Sequence, residues 1–65
     1  MKWSEVVIGM KVRFTKETER IGWNPSLKAG TVGIITAKNG RHRDIFVSIK
    51  GRDGDWWTPY YWEVA

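Results

Sequence analysis

Apolar residues recur along this chain at a spacing of two, broken at short intervals by Gly or Asn-Gly, and that pattern predicts strands rather than helices. Lys11 to Thr15 alternates, with Val12 and Phe14 on one face and Lys11, Arg13 and Thr15 on the other, as a half-buried strand does. The preceding WSEVVIGM leads into it. There Val7 or Ile8 is expected to plug one end of the core, Gly9 to turn the chain, and Ser4 to cap a single helical turn. Gly30 to Ala37, GTVGIITA, is β-branched and apolar and reads as a more central strand, with Gly33 permitting a bend or a close backbone approach.

Lys38-Asn39-Gly40-Arg41 supplies the Asn-Gly pair that tolerates positive φ, so a hairpin should lead to a third strand at Asp44 to Lys50. In that strand Ile45, Val47 and Ile49 face inward, which leaves Phe46, Ser48 and Lys50 outward. Gly51-Arg52-Asp53-Gly54 reads as a second tight turn before a fourth strand at Asp55 to Thr58. Pro59 cannot donate a ladder hydrogen bond and should break that strand into a short turn through Tyr60 and Tyr61, followed by a last strand at Trp62 to Val64. Between the first two strands, KETERIGWNPSLKA (16 to 29) lacks the alternation and forms a long loop carrying Ile21, Trp23 and Leu27. Loops of that length in small domains are commonly functional.

A chain of 65 residues holds one domain, residues 1 to 65, with a small core. With no Cys, apolar packing must supply the stability that disulfides give many small secreted domains. The longest apolar run, Val6 to Ile8, is far too short to span a bilayer, so a soluble, cytoplasmic protein with no membrane association is expected. Five of the nine aromatic residues fall in WWTPYYW at 56 to 62. So small a globule cannot bury all of them centrally, and surface Trp and Tyr commonly make contacts with a partner. Alternation sends one of Trp56 and Trp57 inward and the other outward.

The net charge of +4 is unevenly placed. Lys38, Arg41, Arg43, Lys50 and Arg52 stand against Asp44 alone between residues 38 and 52, while six basic and six acidic residues cancel elsewhere. His42 lies inside the same stretch. Arg41, His42 and Arg43 either solvate a hairpin tip and discourage edge pairing or contact phosphates. Trp23 either staples its loop to the domain or joins Trp57, Tyr60 and Tyr61 in an aromatic groove, and one ring can do both. Catalysis finds no support. Ser4, Ser26 and Ser48 have no pattern that places them beside the lone His42, which sits between two Arg rather than beside a carboxylate. Asp53 and Asp55 flank Gly54 without further ligands, a poor metal site, and no phosphate-binding Gly loop occurs. No cofactor and no small-molecule substrate are expected.

The order of strand, long loop, strand, Asn-Gly hairpin, strand, tight turn, strand, 3₁₀ turn and terminal strand resembles a five-stranded Src-homology-3-like β-barrel over almost the whole chain. GMKVR at 9 to 13 and GTVG at 30 to 33 are similar to the opening strands of KOW-type, Tudor-type and Mind-bomb-type barrels. Pro59 and Trp62 resemble the Pro and aromatic residue that frame the 3₁₀ turn and peptide groove of a Src-homology-3 domain. The resemblance implies an all-β barrel whose hairpin tip lies at the same end as the long loop. The combined expectation is a non-enzymatic binding module. Nucleic acid is the favoured ligand, with Lys38, Arg41, His42, Arg43, Lys50 and Arg52 on phosphates and Trp23, Tyr60 or Tyr61 stacking; the alternative is a protein or peptide partner, or a second copy, seated on the aromatic groove.

Overall fold

The structure, a computed structural model, describes residues 1–16 and 27–65. Five strands form one antiparallel sheet in the order β4-β3-β2-β1-β5: β1 Lys11–Phe14, β2 Val32–Asn39, β3 Asp44–Ile49, β4 Arg52–Trp57 and β5 Trp62–Val64. Two 3₁₀ turns accompany them, at Trp3–Glu5 and Pro59–Tyr61. The long-loop assignment at 16 to 29 falls largely outside the described residues, as do Ile21 and Trp23; Leu27, at its end, is buried. No helix among the described residues is long and apolar enough to cross a membrane.

Alternation builds the core as the sequence predicts. Val12 and Phe14 from β1, Ile35 from β2 and Ile45 and Val47 from β3 are almost wholly buried, and Trp57 and Trp62 join them from β4 and β5. Phe14 sits between the two indoles, its centroid 5.2 Å from Trp57 and 5.1 Å from Trp62 in edge-to-face contacts. A buried aromatic ring removes about 150–250 Å² from water, worth roughly 4–6 kcal/mol as an upper estimate. β4 and β5 are the two edges of the sheet, yet Trp57 and Trp62 are only 5.8 Å apart, so the sheet curls until its edge aromatics meet.

The N-terminal segment differs from expectation. Val6 is the buried residue, while Val7 and Ile8 are 61% and 55% exposed. The cause is a reverse turn in which Met10 N–H donates to Val7 O, with Gly9 at φ 95°, so that Ile8 projects from the tip. Ser4 lies inside the 3₁₀ turn rather than at its cap. Lys2 precedes that turn, its backbone N–H donating to Glu5 Oε1 at 2.8 Å. The Met1 amino group reaches across to donate to Pro59 O and Trp62 O, at 2.8 and 2.5 Å. Thr15 ties the second 3₁₀ turn to β1, its N–H and hydroxyl both donating to Tyr61 O.

Both hairpins also depart from the predicted turns. Asn39 pairs with Asp44 across a four-residue loop, and the positive φ falls on Arg43 (54°) rather than on the Asn-Gly pair. Asn39 instead uses its side chain, Oδ1 accepting Arg41 N–H at 3.0 Å. At the other end of β3, Ile49 pairs with Arg52, so Lys50-Gly51 alone makes the turn, with Gly51 at φ 84°. β4 therefore begins at Arg52 rather than Asp55, and Gly54 is a strand residue. It serves as a slot: a Cβ there would lie 2.4 Å from Cε1 of Phe46, whose ring crosses this backbone. Thr58 leaves the strand as the residue preceding the second 3₁₀ turn.

Candidate nucleic-acid interface

The basic residues of the 38 to 52 stretch do not share one surface. The hairpin tip precedes β3 and the Lys50-Gly51 turn follows it, so the two charge groups stand at opposite ends of a strand that itself spans roughly 17 Å at five rises of about 3.4 Å. Arg41, His42 and Arg43 are all exposed at the tip. Lys38 joins them through a bulge. The register advances from Ile35↔Val47 to Ala37↔Phe46, which leaves Thr36 as the extra residue and sets Lys38 opposite Ile45. From there its ammonium lies 5.6 Å from the centroid of the half-buried Trp3 ring, a cation–π pair. The same ring approaches Gly40, so Trp3 backs the base of the hairpin. Lys50 and Arg52, both exposed, form the second group.

The proposed aromatic groove is also divided. Trp57 is 2% exposed and belongs to the core, so it lines no groove. Its phase follows from its partner: Trp57 pairs with the inward Ile45 and Trp56 with the outward Phe46. Pro59 and Trp62 are buried as well. Tyr61 is half-buried against the core, whereas Tyr60 is 66% exposed and packs edge-to-face on Tyr61 at 5.2 Å. Lys16 lies over the Tyr60 ring at 4.9 Å. Trp23 lies outside the described residues.

The expected adjacency of hairpin tip and long loop falls on residues 17–26, outside the described residues, and only the points where the two connections join β2 are seen. In an antiparallel meander consecutive connections alternate ends: the long loop enters β2 at Val32 and the hairpin leaves it at Asn39. The described neighbour of the hairpin base is Trp3. No family model, curated protein or solved structure matches the chain.

Three pairings are not legible in the sequence: Lys38 with Trp3, Lys16 with Tyr60, and Phe46 with Trp56. The first two join residues distant in sequence, and nothing local signals them. The third is hidden by a register shift: a two-residue turn at Lys50-Gly51 alone would set Asp55 opposite Phe46, and an extra β4 residue between Arg52 and Asp55 brings Trp56 there instead. Phe46 and Trp56 meet edge-to-face at 5.3 Å on the outer face of the sheet, where Trp56 is 43% exposed. Asp55 turns its carboxylate to accept Trp56 N–H at 2.8 Å. Val32 and Ile34 are exposed on the same face, flanked by Lys11 and by the Arg13–Glu63 ion pair at 3.2 Å. Chemically the surface offers fixed cations for an anion and flat rings for stacking.

Proposed function

We propose that the chain is a non-enzymatic binding module of Src-homology-3-like barrel type whose ligand is nucleic acid. The barrel reading draws on the strand order and on the contact between Trp57 and Trp62 across the two sheet edges. The ligand reading rests on one observation above the others. Arg41, His42 and Arg43 are exposed on one hairpin tip, with Lys38 paired to Trp3 at its base. Exposed guanidinium and ammonium groups on a turn suit phosphate oxygens, and phosphate contacts supply most sequence-independent affinity. Lys50 and Arg52 give a second grip at the far end of β3.

The test is fluorescence anisotropy with labelled DNA and RNA oligonucleotides between about 50 and 200 mM salt. Three to four phosphate contacts on a single strand predict a slope of about −2 to −3 in log K against log salt. On a single strand Arg41→Ala and Arg43→Ala should each flatten it by about 0.7 unit. Absence of binding at the lowest salt overturns the reading. A second reading, a protein partner, is favoured by the exposed Val32, Ile34 and Trp56 on the outer face. It predicts weak salt dependence and loss of binding with Ile34→Asp while the hairpin variants bind normally.

A further inference from the structure

We infer that the ligand is single-stranded and runs along the outer face of β3 from one basic turn to the other, with a base stacked on Trp56. This rests on the nucleic-acid reading and adds strandedness, path and a stacking residue to it. β3 is the element that joins the two charge groups: Arg41 to Arg43 immediately precede it, and Lys50 and Arg52 follow it. Its outward residues between them are Phe46 and Ser48, and across the ladder Trp56 stands beside Phe46. A strand gripped at both ends by its phosphates would therefore cross an aromatic pair on the way.

The pair is held as a platform. Phe46 lies across the backbone of Gly54, where any side chain would displace it, and its edge-to-face contact props the indole of Trp56 while 43% of that residue stays in water. Ser48, next along the strand, is small and exposed and leaves the approach open. Two carboxylates lie on β4: Asp55 pairs with the inward Val47 and accepts the backbone N–H of Trp56, and Asp53 follows Arg52 in the chain. The span of roughly 17 Å fits a few extended nucleotides, within the range of about 4–16 per small β-domain. A duplex gives an exposed ring nothing to stack on, because its bases already stack on one another; a single strand does.

The test compares fluorescein-labelled oligo(dT) with a labelled duplex of equal length on the full chain at low salt. Trp56→Ala should weaken oligo(dT) binding about 5- to 150-fold, with the salt slope unchanged and duplex binding unaffected. The Lys50→Ala/Arg52→Ala double variant should weaken binding and flatten the slope by about 1.4 units, as Arg41→Ala/Arg43→Ala does. Because Trp56→Ala perturbs a strand, the indole N–H resonances of the wild-type chain give an independent readout, and that of Trp56 should shift on adding oligo(dT). If the wild type binds oligo(dT) but Trp56→Ala binds equally and the Trp56 indole does not shift, the stacking inference fails and the nucleic-acid reading stands. Equal affinity for duplex and single strand overturns the inference in the same way. If the wild type binds neither, both fail.

Discussion

Gly33→Ala sets two effects of opposite sign against each other, and the structure decides between them. Gly33 lies in β2 opposite Val12, and its φ is outside the left-handed region, so the backbone accepts Ala. Such a replacement ordinarily stabilises by about 0.4–1 kcal/mol through the unfolded chain. Here, however, the new methyl group would lie 2.4 Å from Cγ1 of the fully buried Val47 and 2.9 Å from the carbonyl oxygen of Ser48. Neither neighbour yields easily, because Val47 is packed on every side and Ser48 O belongs to the backbone of β3. Overpacking of this kind costs about 1–3 kcal/mol, which leaves a net loss of roughly 1–2 kcal/mol. At about 4–8 °C per kcal/mol in a domain this size, Tm should fall by roughly 5–15 °C. Circular dichroism melts and urea titrations measure it. Combining the change with Val47→Ala removes the closest contact, so the double variant should be more stable than the sum of the two by at least about 0.5 kcal/mol. An unchanged or raised Tm for Gly33→Ala would refute the packing argument.

Gly54→Ala meets chiefly the far end of the half-exposed Phe46 ring, at 2.4 and 2.9 Å, which can swing away, and the carbonyl oxygen of Val47 only at 3.0 Å. Its melting point should move by less than that of Gly33→Ala, while the ring-current shifts of Trp56 change and oligo(dT) binding weakens. Trp62 is fully buried, and among the described residues its indole nitrogen has no hydrogen-bond partner. Trp62→Phe, which deletes that N–H, should therefore be tolerated in urea unfolding, whereas Trp62→Ala should cost about 3–5 kcal/mol and leave little folded protein. The Arg13–Glu63 pair is about half exposed on both sides, so Glu63→Gln should change stability by no more than about 1 kcal/mol, and salt should erase the difference.

Period-two alternation made the core legible in advance, because burial of one face is what selects apolar residues at every second position. Val12, Phe14, Ile45 and Val47 all lie inside as read. The 3₁₀ turn after Thr58 was legible for a different reason, since Pro59 has no N–H for a ladder and a fixed φ that suits the first helical position. Turn geometry was less accessible. Asn39-Gly40 signals a two-residue hairpin, but the bulge at Thr36 and the pairing of Asn39 with Asp44 give four loop residues, a tertiary outcome that the dipeptide does not encode. The Gly51 to Gly54 segment misled similarly: Gly54 is there to admit the Phe46 ring from a neighbouring strand, and a glycine needed for packing looks the same in sequence as one needed for a turn. Linear distance is a poor guide to which charges and rings share a surface. Charges adjacent in sequence across β3 stand at its two ends, while Trp3 and Lys38, far apart in the chain, are in contact.

The most direct measurement is an amide and indole chemical-shift titration of the wild-type chain with oligo(dT) at low salt. Saturable shifts are expected at Lys38 to Arg43, at Phe46, Ser48 and the Trp56 indole, and at Lys50 to Arg52, with the buried Trp57 and Trp62 indoles nearly still and all shifts reversed by added salt. A spectrum that does not change, or one whose shifts gather at Tyr60 and Tyr61 and leave β3 untouched, would contradict that expectation.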